Sequence, residues 1–416
     1  MPPRLSALCL AFLMASAASA RQDAGPRFEL PRDSFLIDEQ IPIVLEGVPS
    51  HAPVAIELRG GSRQNPQVSQ AIFAADDAGR IDATKMAPVS GSYSGVDAMG
   101  LFWSAKPQHP GAGPLEPNDE PGAGLPWTLS ARLDEKVVAE TTVIRRAVDP
   151  SVKITRVRDR GLVATFYEPA DSGRHPAMIV LTGSGGGMPP AAGPAGGLAS
   201  RGYAVLALAY FNYERLPPTL SNIPLEYFGT ALQWLAAQPS VDPARIGVLG
   251  GSRGAELALL LGVLYPHLHA VAAFEPSNRV WRGCCDPFST VAWTLDRQPV
   301  ALAEIPIEKI QGAVFLVSGK DDGVWDSSGM GDAIVDRLKR NHFAYPVRHL
   351  SYPHTGHAIG RPYTTTENIN NLHHPLTGRV INIGGNPAGT AHAREDSWRE
   401  LLAFLDTNLK HLPPQQ

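Results

Sequence analysis

The chain is poor in cysteine. Only three of its 416 residues are cysteines: Cys9 near the N-terminus, and the adjacent pair Cys284 and Cys285. A structural metal site needs more ligands than this, so we expect neither a metal nor another cofactor. Adjacent cysteines can join only through a strained ring. We therefore expect a pair of thiols in a loop, Arg282–Asp286, that borders the pocket, with a vicinal disulfide as the alternative.

The chain also lacks concentrated positive charge. Its 36 Lys and Arg residues against 40 Asp and Glu give a formal net charge of −4, and no basic block stands out. Nucleic acid is therefore not an expected partner. A hydrophobic content of 44% with 18% charged residues is typical of a well-packed globular protein, and 416 residues suggest two domains.

Long apolar runs are scarce, and the first one indicates a leader. Arg4 precedes the run Leu5–Met14, and the small residues Ala18-Ser19-Ala20 suit cleavage before Arg21. The run is too short for a spanning helix, so no stable membrane span is expected. We predict a signal peptide over 1–20 and an exported protein, periplasmic or secreted. The alternative is a cytoplasmic protein in which this run is a buried helix.

The most informative motif is Gly250-Gly251-Ser252-Arg253-Gly254, which lies between a short apolar run and a helical pattern. Gly-x-Ser-x-Gly between a strand and a helix is typical of a nucleophile elbow, with the serine hydroxyl exposed on a sharp turn. We therefore predict Ser252 to be a catalytic nucleophile. The N–H of Arg253 would lie at a helix N-terminus, where it can bind an oxyanion.

A serine needs a base and a group that orients the base, in the chain order Ser, Asp or Glu, His. Asp322 and His357 each follow a predicted strand, at the sheet edge where ligands bind. We predict His357 as general base and Asp322 as its orienting acid, completing a catalytic triad. Asp321 and His354 are the alternatives, because each lies close in sequence to the preferred residue.

A glycine-rich loop, Gly183-Ser184-Gly185-Gly186-Gly187, follows another predicted strand. It lacks the Lys-Ser/Thr ending of a phosphate-binding loop and the spacing of a dinucleotide fingerprint. In a hydrolase such a loop supplies the second oxyanion N–H, and we expect Gly185 or Gly186 to be the donor. The alternative is a plain turn without a donor.

Two zones differ in their patterns. Residues 27–148 show short alternating runs without a long helix, which predicts an all-β sandwich with an irregular loop at Pro107–Pro126. Residues 152–412 alternate strands and helices, which predicts parallel strands with helices on both faces. Strands are expected at Leu162–Tyr167, Ala177–Thr182, Tyr203–Ala209, Arg245–Leu249, Ala270–Phe274, Ala313–Val317 and Val347–Tyr352, and helices at Pro224–Ala237, Arg253–Leu264, Gly329–Asn341 and Ala393–Leu409.

These motifs resemble one family, the acyl-CoA thioester hydrolases and bile acid-CoA:amino acid N-acyltransferases. The resemblance runs from about Asp33 to Leu409 and rests on the segments Gly91–Ser104, Ala207–Glu214, Leu225–Phe228, Gly250–Glu256, Gly319–Ser327 and Tyr352–His357. It implies an immunoglobulin-like domain before an α/β-hydrolase domain that cleaves acyl-CoA through an acyl-enzyme. The family's nucleophile, acid and base fall on Ser252, Asp322 and His357.

The resemblance also implies which acceptor is used. Family members with a cysteine nucleophile favour transfer to an amine, so Ser252 indicates hydrolysis to a fatty acid and CoA. Arg253 departs from the lysine usual at that position. Because CoA is cytosolic and the leader predicts export, a secreted carboxylesterase or acyltransferase is the alternative, as is a catalytically silent binding protein. Three arginines could meet an anionic substrate, although surface solvation is the expected role of each: Arg215, Arg279 and Arg282.

Overall fold

The computed structural model describes residues 25–61, 65–109, 124–190, 193–285, 288, 290–366 and 372–411. The predicted leader over 1–20, Asp286 and most of the Pro107–Pro126 loop lie outside these residues. Within these ranges, no helix combines the length and the apolar character needed to cross a membrane.

An eight-stranded sheet dominates the C-terminal part of the chain, in the order β1-β2-β4-β3-β5-β6-β7-β8. Strands β3 to β8 run parallel to one another. This arrangement confirms the predicted α/β-hydrolase fold. The strand bounds are Lys153–Val157 (β1), Val163–Glu168 (β2), His175–Leu181 (β3), Ala204–Ala209 (β4), Val241–Gly251 (β5), Leu268–Phe274 (β6), Ala313–Gly319 (β7) and Val347–Tyr352 (β8).

Helices cover both faces of this sheet, because alternate residues of each strand point to opposite sides. Ile179 belongs to one buried cluster, with the helices that precede and follow β5. Val180, the next residue, belongs to the other cluster, with the first and last helices. The helices are Pro194–Ala199 (α1), Glu226–Ala236 (α2), Arg253–Leu264 (α3), Ser327–Arg340 (α4) and Pro387–Leu405 (α5), which continues as a π-helical turn, Asp406–Lys410.

The prediction of parallel strands throughout this zone is wrong for its start. Strand β2, predicted at Leu162–Tyr167, pairs antiparallel with both β1 and β4. The segment from Glu168 to His175 contains no helix. A parallel pair needs a crossover of a dozen residues or more, which so short a connection cannot supply.

The N-terminal part contains two sheets and one short helix, Gly100–Trp103. Leu45 of the smaller sheet and Ile56 of the larger sheet share one buried cluster. Whether the arrangement is immunoglobulin-like stays a prediction. The smaller sheet contains Arg27–Glu29, Val44–Glu46 and Ile81–Asp82, and the larger contains Ser34–Leu36, Lys136–Arg146, Leu125–Leu133, Pro53–Gly61, Pro66–Ala74, Ser90–Gly91 and Lys106–Pro107.

Hydrogen bonds join the N-terminal sheets to the segment that follows the predicted base. A guanidinium nitrogen of Arg145 donates to the carbonyl of Tyr363 at 2.8 Å, and the indole N–H of Trp398 on α5 donates to Asp38 at 2.7 Å. The N-terminal part is therefore hydrogen-bonded both to Tyr363 and to helix α5. Shorter elements complete the fold: Ile223–Pro224, Trp293–Leu295 and Gln298–Pro299 form one small sheet, Leu372–His373 and Val380–Ile381 another, and Ile307–Lys309 is a 3-10 turn.

Candidate active site

Ser252 lies on the turn between β5 and α3 with φ 56° and ψ −121°. This backbone conformation is strained for a residue with a side chain, as the elbow geometry requires. The flanking glycines are needed because the chain crosses itself closely. A Cβ on Gly250 would lie 2.0 Å from the carbonyl oxygen of Gly254, and one on Gly254 would lie 2.4 Å from that of Thr182.

The structure brings Ser252, His357 and Asp322 together. Nε2 of His357 lies 2.8 Å from Oγ of Ser252, and Nδ1 of His357 lies 2.8 Å from Oδ2 of Asp322. The side chains of His357 and Asp322 are 9% and 1% exposed. Three residues that are far apart in the chain thus form a hydrogen-bonded series that is largely shielded from solvent and ends at the serine oxygen.

Asp322 is held in place by the chain that follows it. Its Oδ1 accepts hydrogen bonds from the backbone N–H groups of Val324 at 2.9 Å and Trp325 at 3.2 Å. Oδ2 is thereby left for His357. The carboxylate is fixed before any substrate arrives, which keeps the imidazole in one orientation.

The two sequence alternatives, Asp321 and His354, lie beside each other at the surface instead. Their side chains are 52% and 72% exposed, and Nδ1 of His354 lies 3.8 Å from Oδ2 of Asp321. Neither forms a hydrogen bond to Ser252 among those described. The structure thus separates a solvated Asp–His pair from a buried one.

A segment that the sequence reasoning did not single out supports both the acid loop and the base loop. The carbonyl of Ile383 accepts hydrogen bonds from the N–H of His357 at 2.7 Å and of Gly323 at 3.1 Å. Gly384 follows with φ 77°, and a Cβ there would lie 1.8 Å from the carbonyl oxygen of Asp321. The Gly384-Gly385 pair in the sequence was the available signal for this close approach.

The predicted oxyanion donors differ in their surroundings. The N–H of Gly186 already donates to the carbonyl of Gly183 at 3.1 Å, so it is engaged in a turn. Within the described ranges, no acceptor is seen for the N–H of Arg253 or of Gly185, and these two stay the prediction. Gly183 is the loop glycine that approaches the nucleophile, since a Cβ on it would lie 3.2 Å from Cβ of Ser252.

The side chain of Arg253 is buried and faces the protein interior, not a substrate. Its Nε lies 2.9 Å from Oε2 of Glu256, and its terminal nitrogens donate to the carbonyls of Arg282 at 2.8 Å and Trp281 at 3.2 Å. Burial raises the pKa of Glu256, and the charge of Arg253 opposes that rise. Arg253 therefore fixes Trp281 and Arg282 to helix α3.

The expectation that Cys284 and Cys285 are free thiols is wrong, because the two form a disulfide. The backbone allows it: the N–H of Cys284 donates to the carbonyl of Leu220, and Cys285 has φ 75°. The disulfide borders the glycine-rich loop, with Sγ of Cys285 3.5 Å from the carbonyl oxygen of Ser184. Ligand atoms of Cys284, Cys285 and His374 lie within 4.8 Å of one another, but the disulfide occupies both sulfurs.

Glu275 is a buried carboxyl group close to Asp322 and Ser252. It follows β6 directly, and its Oε1 accepts a hydrogen bond from the N–H of Ile359 at 2.7 Å. Burial raises its pKa well above the ordinary value, and the negative charge of Asp322 adds to the effect, while Arg394 opposes it. Glu275 therefore anchors the segment after His357, and its burial favours the protonated form of the carboxyl group.

We expect Glu275→Gln to gain stability relative to the wild type as the pH rises. In the unfolded chain the carboxyl ionises near pH 4.3, whereas in the folded chain it keeps its proton to a higher pH. Between these two pKa values the folded state loses up to about 1.36 kcal/mol per pH unit relative to the unfolded state. Glutamine cannot ionise, so this loss disappears. Urea unfolding at pH 5, 6 and 7 measures the difference.

The exposed Glu135 provides the control for this prediction. Glu135→Gln should follow the wild type at each pH. A constant difference between Glu275→Gln and the wild type from pH 5 to 7 would show that Glu275 is ionised in the folded protein.

Two parts of the chain match families of known proteins. Residues 38–159 match the acyl-CoA thioester hydrolase/BAAT N-terminal region. Residues 223–285 and 289–411 match the BAAT / acyl-CoA thioester hydrolase C-terminal family. The second match includes the serine, the aspartate and the histidine described above.

Individual relatives align over nearly the whole chain. Acyl-coenzyme A amino acid N-acyltransferase 1 of Mus musculus is 30% identical, and the alignment covers 90% of this chain and 95% of that protein. Mitochondrial acyl-coenzyme A thioesterase 2 of Homo sapiens is 27% identical, with coverages of 89% and 82%. Peroxisomal succinyl-coenzyme A thioesterase of Mus musculus is 29% identical, with coverages of 89% and 94%.

Proposed function

The chain belongs to the acyl-CoA thioester hydrolase/BAAT family, and from that premise we propose that it is a serine hydrolase that cleaves acyl-CoA thioesters to a carboxylic acid and a thiol. The observation that carries the proposal is the geometry of Ser252, His357 and Asp322, with both hydrogen bonds at 2.8 Å. A binding protein has no need of this series.

The reaction begins with Oγ of Ser252, which attacks the thioester carbonyl while Nε2 of His357 takes its proton. The negative charge that develops on the carbonyl oxygen is stabilised by the N–H of Arg253 at the N-terminus of α3, together with a donor from the glycine-rich loop. The C–S bond then breaks, and His357 returns the proton to the departing sulfur. Asp322 stabilises the imidazolium in both steps.

Water completes the cycle. His357, neutral again, removes a proton from a water molecule that attacks the acyl-serine, and Ser252 is released together with the acid. Atoms balance with one water consumed per thioester. Acyl transfer to an amino acid is the second candidate, favoured by the name of the 30% identical murine relative. In that reaction an amine replaces the water.

Purified protein comprising residues 21–416 tests the substrate class. We expect kcat/KM for palmitoyl-CoA to exceed that for p-nitrophenyl butyrate by at least about tenfold, because a leaving group with its own binding energy adds to transition-state stabilisation. Thiol release and acid formation are measured together. Equal or better turnover of the short ester would contradict the thioesterase proposal and favour the carboxylesterase.

Adding glycine or taurine to the same assay distinguishes the two acceptors. For the hydrolase, the acid accounts for all of the thiol released. An acyl amide that forms at the expense of the acid would identify the acyltransferase instead.

We also propose that residues 1–20 are cleaved and that the mature protein works outside the cytosol. The apolar run and the small residues before Arg21 support this location. An exported enzyme would meet acyl thioesters or esters that are present outside the cytosol. The mature N-terminus, sequenced from the native host, should be Arg21; an uncleaved Met1 would contradict the proposal.

A further inference from the structure

An aromatic row leads from the catalytic histidine to the surface. The rings of Trp325 and His357 meet edge to face, with centroids 5.0 Å apart. The ring of Trp281 lies parallel to that of Trp325 within 4°, with centroids 6.2 Å apart. Because Trp281 follows β6 and Trp325 follows β7, this row is a product of the fold and not of local sequence.

Trp281 is fixed although 36% of it is exposed. Its backbone N–H contacts Oε1 of Glu256 at 3.3 Å, its carbonyl accepts from Arg253 at 3.2 Å, and its indole N–H donates to Oγ of Ser277 at 2.8 Å. An immobilised aromatic ring at the surface has lost its conformational entropy in advance. It can therefore bind a planar ring at a lower entropic cost than a mobile side chain.

Positive charge accompanies this ring. The guanidinium carbon of Arg279 lies 5.4 Å from the ring centroid of Trp281, and Arg282 is the next residue in the chain. Both arginines are exposed, and among the described residues neither has an acidic partner within salt-bridge distance. Arg215, the third arginine considered from the sequence, follows Glu214, which pairs with Arg158 away from this row.

The chemistry indicates which part of a substrate lies here. His357 must give its proton to the leaving group, and the ring of Trp325 lies against that of His357, so the aromatic row begins beside the residue that protonates the departing sulfur. The indole nitrogen of Trp325 is buried and has no hydrogen-bond partner in the described part of the chain. A donor without an acceptor is costly when buried, and a polar leaving group would supply the acceptor.

We propose that Trp281 and Arg279 form the subsite for the leaving group, and that this subsite takes a planar aromatic ring that carries anionic groups, as in a nucleotide-bearing thiol. The ring stacks on the Trp281–Trp325 row, and Arg279 pairs with the anion. This inference rests on the proposed thioesterase function and adds to it the residues that bind the leaving group.

Two thioesters with the same acyl chain test the subsite: palmitoyl-CoA, and palmitoyl N-acetylcysteamine, which lacks the nucleotide. We expect Trp281→Ala to raise KM for palmitoyl-CoA about tenfold with little change in kcat, and to leave kcat/KM for the truncated thioester within about twofold of the wild type. Trp281→Phe should retain most of the affinity. Arg279→Gln should raise KM for palmitoyl-CoA alone, more at low ionic strength than at high.

Tyr345→Ala is the matched control, because Tyr345 is an aromatic side chain, 41% exposed, at the surface before β8. This variant should leave kcat/KM for both thioesters unchanged. Equal losses on both thioesters in Trp281→Ala and Trp281→Phe, or no loss on either, would overturn the subsite while leaving the thioesterase intact. A wild type that hydrolyses neither thioester would overturn the proposed function, and this inference with it.

Discussion

Ser252→Ala is expected to lower kcat by roughly 10⁴- to 10⁶-fold and to abolish covalent labelling by a fluorophosphonate probe. The alanine side chain has no atom that can form the acyl-enzyme, and His357 then has no proton to remove from the nucleophile. The oxyanion donors and the binding surfaces remain, so the residual rate measures what they contribute alone. Steady-state turnover and labelling followed by mass spectrometry give the two readouts.

The chain offers an unusually close control for this variant. Ser318 on β7 also contacts a histidine, with its Oγ 2.7 Å from Nε2 of His349, and Nδ1 of His349 lies 3.1 Å from Asp332. Ser318 is completely buried inside the strand, so no substrate carbonyl can reach it. Ser318→Ala should keep both activity and labelling. Labelling that survives in Ser252→Ala and disappears in Ser318→Ala would assign the nucleophile to the other series.

His357→Ala is expected to reduce kcat by about 10⁴-fold or more, whereas His354→Ala should stay within about twofold of the wild type. Without the imidazole, Ser252 keeps its proton at neutral pH and its hydroxyl is a poor nucleophile. The side chain of His354 is 72% exposed and its Nδ1 lies 3.8 Å from Oδ2 of Asp321 at the surface, where loss of a solvated pair costs little. Rates on the thioester identified above, with thermal unfolding of both variants, complete the comparison.

The reverse pattern, in which His354→Ala is inactive and His357→Ala is not, would show that the base loop rearranges on substrate binding. Equal losses in the two variants with lowered thermal stability would indicate damage to the loop 353–357 and not to the base. Because the two histidines are only three residues apart, a difference between the variants reflects the hydrogen bonds of each imidazole and not its location in the fold.

The sequence was sufficient to predict the positions of residues that lie at strand ends. Ser252, Asp322 and His357 each follow a strand with a clear apolar pattern, and parallel strands bring such positions to one edge. Their predicted strands agree with β5, β7 and β8 within a few residues. Helix α3 begins and ends at the predicted residues, Arg253 and Leu264. These positions can be predicted because hydrophobic periodicity and the order of residues along the chain are local properties of the sequence.

What the sequence could not supply are contacts between segments without a shared period. Glu275 reaches Ile359, and Ile383 supports two loops at once, through backbone groups that any residue could provide. Trp281 belongs to the aromatic row because Trp325 lies beside it, and no spacing rule links positions 281 and 325. The direction of β2 depended on the absence of a helix in a short connection, and the choice between Gly185 and Gly186 depended on one turn.

The guanidinium of Arg253 has a consequence for which residues are expected to vary together among the relatives of this chain. Arg253 spreads several N–H groups over Glu256 and the carbonyls of Trp281 and Arg282, which a lysine, with a single terminal nitrogen, cannot span together. The substitution Arg253→Lys would therefore leave Trp281 less firmly held and would not alter the side chain of Ser252. Relatives with lysine at this position are therefore expected to lack a rigid indole at the position of Trp281, so the two residues should vary together.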